Sequence, residues 1–451
     1  MKAVIRRSKR WIRPAAGIFA ALALAALLFF AARAESAESA HYRALLEKGF
    51  PVSYAARIAP LCAKHPLWRF EPLFITRLSG GKYTFSYCLD RETETEKRNL
   101  APASAEGCFQ AGASYDSGLY PATREAIAFF MDPRNFLNEE CVFQFWDLSG
   151  TAETECVRRL IAGSFLEKIK FDGKETALFL CEEGEKAGVN AVFSALRLIQ
   201  EQGAQGNALA GGEGGQALLR WKREKCVREN GKNVLTPEKA LSDEELLSLN
   251  GYYNYFNIGA AGSGLFAVIQ NGLVRAKNEG WDTPEKAMRG GIAYLADEYV
   301  KRRQNTVYLQ KWNVDPESRA ENGGSRNFWG QYMQNILAAE KEGERLGAVL
   351  GGENEAFSFL IPVYEGLPEE PCPDPSGGAF SHGGTLFDPE EAGFVFTVES
   401  QKDPAPAPVP QKEAPGSVFL PVLIGLFSFA ASSVILSLFT RVCAGKSVAK
   451  K

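Results

Sequence analysis

One carboxylate, Glu201, lies where general-acid chemistry would need it. The stretch 190–203 has apolar residues at the spacing of one helix face, with the helix-capping residue Asn190 before it and Gly203 after it. Glu201 is therefore expected in the last helical turn, beside the apolar face. The negative end of the helix dipole and the loss of water both raise the pKa of a carboxyl group there. A carboxyl group that keeps its proton near neutral pH is what general-acid cleavage of a glycosidic bond requires.

Aromatic and amide side chains follow in a cluster with neither a helical nor a strand period. Aromatic rings stack on the C–H faces of sugars, whereas amides hydrogen-bond to hydroxyl and acetamido groups. The cluster therefore predicts a carbohydrate-binding site, and packing in a hydrophobic core is the alternative. The predicted substrate-binding residues are Tyr253, Asn254, Tyr255, Phe256, Asn257, Trp329 and Tyr332.

Short motifs in collinear order carry a resemblance to a known family. They are 200–203, 253–260, 280–287 with 290–291, 304–313, 331–336 and 361–364, preceded by 50–70, 132–137 and 143–145. Over residues 49–366 the chain resembles the bacterial cell-wall endo-β-N-acetylglucosaminidases. The resemblance implies a lysozyme-like catalytic domain with Glu201 as the acid.

The stretch between Gly203 and Tyr252 departs from that family pattern, because relatives connect the acid to the aromatic cluster more directly. This insertion leaves a second catalytic carboxylate without a definite position. The candidates within it are Glu213, Asp243, Glu244 and Glu245, each of which is otherwise a surface charge.

The predicted fold class is α+β and mainly helical. A lysozyme-like catalytic domain is expected at 166–368, with a smaller α/β accessory domain at 35–165. Residues 369–416 are rich in proline towards their end and are expected to form a disordered linker. Strands are predicted at 68–75 and 82–88. Arg134 either binds an anionic peptide stem or pairs locally in a turn.

Both ends of the chain have the composition of targeting segments. Six basic residues precede the apolar run 15–32, which predicts a signal peptide at 1–34 with cleavage after Ala34; an uncleaved anchor is the alternative. The apolar segment 418–439 predicts a transmembrane helix, and the basic tail 440–451 places the C-terminus in the cytoplasm. The expected protein is anchored by a single pass in the cell membrane, with its catalytic domain extracellular and facing the cell wall. A wall-sorting tail is less favoured because the Leu-Pro-x-Thr-Gly signal is absent.

Charge and cysteine content narrow the set of partners. A net charge of −3 over 451 residues gives no basic surface for nucleic acid. Eight of the nine cysteines lie in the exported part, which permits disulfides. No cysteine pair has zinc-site spacing, and His41, His65 and His382 are scattered, so we predict no metal and no other cofactor.

The resemblance implies hydrolysis of the β-1,4 bond after N-acetylglucosamine in peptidoglycan glycan strands. Glu201 would protonate the departing oxygen. The nucleophile would be the 2-acetamido group of the substrate, or a water activated by an Asp or Glu not yet located. A muramidase or lytic transglycosylase on the same scaffold, and a membrane-tethered wall-binding protein without turnover, are the alternatives.

Overall fold

The computed structural model of the chain describes most of residues 37–389. The described ranges are 37–75, 83–115, 118–203, 205–224, 228–229, 232–233, 240–262, 264–320, 322–350 and 355–389. The predicted signal peptide, the transmembrane segment 418–439 and the cytoplasmic tail lie outside these ranges.

Helices dominate the described residues, and short strands accompany them. The α-helices are α1 (37–47), α2 (Val52–Lys64), α3 (Phe85–Thr93), α4 (Arg124–Met131), α5 (Thr154–Ile161), α6 (Thr176–Ala187), α7 (Ala191–Gln202), α8 (Gly214–Glu224), α9 (Asp243–Leu247), α10 (Leu265–Asn278), α11 (Pro284–Glu298), α12 (Val307–Trp312) and α13 (Ala338–Leu350). The 3₁₀ helices are Pro133–Phe136, Val142–Phe145, Phe165–Lys168 and Val300–Arg302. The fold is therefore mainly helical, as predicted.

The strands form two-stranded sheets. They are β1 (Arg69–Phe74), β2 (Leu100–Pro102), β3 (Leu119–Pro121), β4 (Lys170–Phe171), β5 (Lys174–Glu175), β6 (Arg228–Glu229), β7 (Lys232–Asn233) and β8 (Ser358–Val363). β1 pairs with β8 in parallel, and the rings of Phe70 and Phe359 stack across the pair with centroids 5.0 Å apart. The remaining pairs, β2–β3, β4–β5 and β6–β7, are antiparallel. The parallel pair joins two segments that are far apart in the sequence.

One hydrophobic core extends across the predicted domain boundary at residue 165. It contains Phe143 and Val157 from the N-terminal side of that boundary, and Leu196 and Leu346 from the other. The part predicted as an accessory domain thus packs directly against the part that carries Glu201. Residues 369–389, predicted as linker, also pack on this body, and the ring of Phe387 lies 4.8 Å from that of Tyr42.

The insertion after Gly203 forms structure of its own. Leu218 of α8 and Leu246 of α9 are buried against Leu273 of α10 in a second, smaller hydrophobic cluster. Gly215 lies so close to the backbone of α9 that a Cβ there would be 2.1 Å from the carbonyl oxygen of Leu246. Close packing of α8 against α9 therefore explains the glycine at this position.

Three sequence predictions need correction. The strand predicted at 82–88 is the start of α3, because Thr84 accepts a hydrogen bond from the N–H of Tyr87 and caps a helix there. The disulfide prediction is not supported, since the described cysteines, 62, 88, 108, 141, 156, 181 and 372, are free thiols. The prediction of single-pass anchoring in the cell membrane is not supported either, since none of the described helices is both long and apolar enough to cross a bilayer.

Candidate active site

Glu201 lies in the last turn of α7. The side chain of Asn190 accepts a hydrogen bond of 2.9 Å from the N–H of Val192, and Gly203, with a positive φ of 70°, ends the helix. Only 3 % of the Glu201 surface is exposed. The helix thus carries the carboxyl group into the interior at its C-terminal end, where the Glu201 carbonyl accepts hydrogen bonds from the side chains of Asn207 and Asn257.

Two neutral side chains hold the Glu201 carboxyl group. The Tyr332 hydroxyl donates to Oε1 at 2.5 Å, and the Asn257 amide donates to Oε2 at 2.9 Å. The side-chain N–H of Gln202 donates to Oδ1 of Asn257 at 3.0 Å, which turns the NH₂ group of that amide towards Glu201. Each carboxyl oxygen therefore has a partner that carries no charge.

Burial raises the pKa of Glu201 above its ordinary value. The hydrogen bonds from Tyr332 and Asn257 and the nearby positive charge of Arg197 lower the pKa, but they do not cancel the loss of water. The direction of the shift is that required of a general acid.

The positive charge nearest to this carboxyl group is already paired. Arg197 of α7 is fully buried and lies with its guanidinium carbon 4.0 Å from the centroid of the Tyr332 ring. It donates to Glu342 of α13 at 2.5 Å and to Gln310 of α12 at 2.6 Å. Because Glu342 binds the guanidinium, Glu201 keeps only neutral hydrogen-bond partners. Sequence reasoning missed Arg197 and Glu342, and no local pattern distinguishes them from surface charges.

Three of the predicted substrate-binding residues are buried and bonded within the protein. The amide of Asn254 donates to the carbonyls of Ile258 and Gly272 at 2.8 and 2.9 Å. Tyr255 packs edge-on against Phe171, and Phe256 fills the space beside Gly291, where a Cβ would lie 1.9 Å from the ring. These side chains hold the loop that presents Asn257.

Tyr253 and Trp329 keep surface that a ligand could cover. Tyr253 is half-buried, with its ring parallel to that of Tyr255 at 6.4 Å. Trp329 is 56 % exposed, and the Arg98 guanidinium lies 4.9 Å from its ring centroid. Of the predicted site residues, the structure brings Asn257 and Tyr332 onto Glu201 and leaves these two rings accessible.

The candidate second carboxylates of the insertion lie on the surface. Asp243 pairs with Lys222 at 2.9 Å and with Arg223 at 3.1 Å, and its pKa is lowered mainly by the hydrogen bond from Lys222. Glu245 forms a capping box with Ser242 at the start of α9. Glu213 and Glu244 are exposed.

The chain is similar in sequence to known autolysins. No family model matches it. Bifunctional autolysins of Staphylococcus epidermidis and Staphylococcus aureus are each 28 % identical to it over 127 residues, which is 28 % of this chain. The chain covers only 9 % and 10 % of their respective lengths. Among solved structures, S. aureus glucosaminidase B matches at 19 % identity and a TM-score of 0.42, over 66 % of this chain and 94 % of that one. The sequence matches confirm the resemblance to bacterial cell-wall glucosaminidases that the motifs predicted.

Proposed function

We propose that this protein is a peptidoglycan hydrolase that cleaves the β-1,4 bond after N-acetylglucosamine, on a mainly helical, lysozyme-like scaffold. The observation that carries the proposal is the Glu201 carboxyl group, buried at a helix end and held by two uncharged donors. The name shared by the sequence relatives, bifunctional autolysin, favours cell-wall glycan strands as the substrate.

In this proposal Glu201 is the general acid. Its proton passes to the glycosidic oxygen as the bond from C1 to that oxygen breaks, so the departing sugar leaves as a neutral alcohol. Tyr332 and Asn257 then stabilise the carboxylate that remains, because both donate to it. The pair Arg197–Glu342 keeps a fixed guanidinium below the Tyr332 ring.

The acetamido group of the substrate is the nucleophile that we favour. Its carbonyl oxygen attacks C1 from the opposite face and forms a cyclic oxazolinium, which water then opens with retention of configuration. Support comes from Glu342, which binds Arg197, and from the candidates of the insertion, which are exposed or paired. A water activated by another Asp or Glu would instead give inversion.

Tyr253 and Trp329 are the rings that we propose to contact the sugars. Their faces are accessible, whereas Tyr255 and Phe256 are buried. Asn257 acts on the acid rather than on the sugar, and Asn254 holds the loop. The proposed substrate surface is therefore smaller than the set predicted from sequence.

Product analysis of digested cell wall tests the proposal. Purified full-length protein is incubated with peptidoglycan, and the soluble fragments are analysed by mass spectrometry after borohydride reduction. We expect reduced N-acetylglucosamine ends, and we expect Glu201→Gln to lower the rate about 10²- to 10⁴-fold, the usual contribution of general acid catalysis. Glu213→Gln, an exposed carboxylate of the insertion, is the matched control and should retain full activity.

The other outcomes are distinct. Reduced N-acetylmuramic acid ends would identify a muramidase, and anhydro ends a lytic transglycosylase. Binding to peptidoglycan without release of fragments would identify a wall-binding protein. Full activity in the Glu201→Gln variant would remove Glu201 from the mechanism.

A further inference from the structure

A second cluster of reactive side chains lies apart from the Glu201 cluster, where three segments meet. Cys141 immediately precedes the 3₁₀ helix Val142–Phe145, Glu344 lies on α13, and His382 lies in the segment that follows β8. The Cys141 sulfur, a Glu344 carboxylate oxygen and a His382 ring nitrogen all lie within 4.8 Å of one another. Cys141 is buried and the other two are half-buried. Thiolate, imidazole and carboxylate together are the ligand types of zinc sites.

The spacing of these atoms suits a tetrahedral ion. Zinc–ligand bonds of about 2.0–2.3 Å place neighbouring ligand atoms about 3.5 Å apart. His382 Nε2 lies 3.7 Å from Glu344 Oε1, close to that separation. A shift of about 1 Å or less in the remaining contacts would bring the three atoms onto one centre.

Glu340 is the independent observation that points to a ligand at this place. It lies one helical turn before Glu344 on α13, and its side chain is 1 % exposed. Its Oε1 is 2.7 Å from His382 Nε2, while Oε2 is buried without a hydrogen-bond partner among the described residues. A buried carboxylate oxygen that lacks a donor is costly unless a cation or proton meets it. Glu340 is therefore the neighbouring carboxylate that would complete a set of four ligands, after a shift of its side chain.

The surrounding side chains are arranged as outer partners of such ligands. Glu140 Oε2 lies 3.4 Å from His382 Nδ1, so Nδ1–H can face a carboxylate when an ion replaces the proton between Nε2 and Glu340 Oε1. Lys341 donates to both oxygens of Glu344, to Oε2 at 2.8 Å and to Oε1 at 3.0 Å, and lies 3.8 Å from Glu340 Oε1. One lysine therefore faces two carboxylates, and an ion bound to Glu344 Oε1 would replace the hydrogen bond from Lys341 to that oxygen.

The geometry points to a structural divalent-cation site formed by Cys141, Glu340, Glu344 and His382, and we propose Zn²⁺ as its ion. All four ligands come from the protein, which is the arrangement of a structural rather than a catalytic zinc. The ion would fasten the segment that carries His382 to α13, the helix whose Glu342 holds Arg197. The prediction of no metal relied on spacing along the sequence, whereas these ligands come together only in the folded chain.

Proton release accompanies binding in this proposal. Cys141 is a free, buried cysteine in the folded chain, so its thiol brings a proton to the site. An ion that binds the sulfur displaces this proton to solvent and leaves the thiolate as ligand.

Metal titration of the full-length protein, stripped with chelator, tests the site. We expect one Zn²⁺ per chain by elemental analysis after dialysis. With Co²⁺ we expect a thiolate-to-metal absorption band in the near ultraviolet and a pH-dependent release of protons. Cys141→Ser should abolish the band, and His382→Gln should weaken binding at least tenfold. Cys181→Ser is the matched control, because Cys181 is another free, half-buried thiol that faces the carbonyl of Ala152.

The Glu344→Gln variant keeps the test decisive if the other variants misfold, because Glu344 is only half-buried. It should fold without metal, as judged by circular dichroism, and still bind Zn²⁺ at least tenfold more weakly than the unaltered chain. Sub-stoichiometric binding to the unaltered chain, or an unchanged Co²⁺ band in Cys141→Ser, would overturn the proposal. Neither readout depends on hydrolysis of peptidoglycan, so the result is independent of the role proposed for Glu201.

Discussion

Two buried carboxylates in this protein have opposite surroundings. Glu201 contacts a tyrosine hydroxyl and an asparagine amide. Asp132 instead accepts from the Nε and Nη2 of Arg134 at 3.0 and 2.8 Å, and from the backbone N–H groups of Arg134 and Cys372 at 3.1 and 3.0 Å. Asp132 and Arg134 are almost completely buried.

The difference distinguishes a structural carboxylate from the proposed general acid. Four N–H donors, two of them on a guanidinium, hold Asp132 and make it a fixed junction between α4 and the segment around Cys372. Arg134 also donates to the carbonyls of residues 368–370. Glu201 has an arginine nearby as well, but Glu342 occupies it. The surroundings of Glu201 therefore favour its protonated form, whereas Asp132 is held in a buried ion pair with Arg134.

The largest expected effect comes from Asp132→Asn. Removing one partner of a buried ion pair leaves the Arg134 guanidinium without its counter-charge, which lowers the free energy of unfolding by about 3–5 kcal/mol. Denaturant unfolding measures the loss. Activity per folded molecule should stay unchanged at a temperature where the variant is folded.

Asp90→Asn is the control for that variant, because Asp90 pairs with Arg124 on the surface and its loss should cost about 1 kcal/mol or less. If Asp132→Asn unfolds like the unaltered chain yet loses hydrolysis, Asp132 belongs to the chemistry and the contrast with Glu201 fails.

The sequence predicted what is local to α7. Asn190 and Gly203 bound α7 as expected, and the same kind of local signal, a capping Thr283 followed by Pro284, stands at the start of α11. Caps and apolar spacing are read within one helical turn or two, so they need no knowledge of the tertiary fold. Local reasoning also placed Glu201 at the end of the helix that buries it.

The partners of Glu201 were harder to predict because they come together only on folding. Arg197 and Glu342 are on different helices, and a charged pair in the interior has the same composition as one on the surface. The strand predicted at 82–88 failed for a related reason. Alternation over a few residues was compatible with two periods, and the buried set Phe85, Cys88 and Leu89 follows the helical one.

Tyr332→Phe should have a smaller effect. It tests the contrast between Glu201 and Asp132 through the pH dependence of the reaction rate. The Tyr332 hydroxyl hydrogen bond lowers the pKa of Glu201 by favouring its charged form, so its removal raises that pKa further. A general acid works while protonated, and its activity falls as pH rises through its pKa. The alkaline limb of the pH–rate profile should therefore move to higher pH, with a loss of up to about tenfold in kcat from poorer positioning of the carboxyl group.

Tyr299→Phe is the matched control for that profile. Tyr299 packs edge-on against Tyr332, with ring centroids 5.2 Å apart, so the variant alters the hydroxyl of a neighbouring ring. It should leave the alkaline limb in place. A shift to lower pH in Tyr332→Phe would mean that the hydroxyl does not stabilise the Glu201 carboxylate.

The smallest expected effect is a gain in stability. Glu201→Gln should raise the free energy of unfolding, whereas Asp132→Asn lowers it. Burial raises the pKa of Glu201 in the folded state. Below the ordinary glutamate pKa the carboxyl group is protonated in both states, so its ionisation does not affect stability. As pH rises from there through the folded pKa, the free energy of unfolding falls. The glutamine does not ionise. The variant should have the same free energy of unfolding as the unaltered chain near pH ~4. Above the folded pKa of Glu201 its free energy of unfolding should be higher by about 0.5–2 kcal/mol, as seen when a strained catalytic group is removed.

Denaturant unfolding across that pH range measures this difference, with the exposed Glu213→Gln as the variant that should show no such trend. Stability gained together with activity lost would mark Glu201 as a group held against its preferred ionisation. If Glu201→Gln is instead less stable than the unaltered chain at neutral pH, the neighbours of the Glu201 carboxyl group stabilise it within the fold, as Arg134 does for Asp132. The distinction between the two regions would then disappear, because both carboxylates would serve the fold.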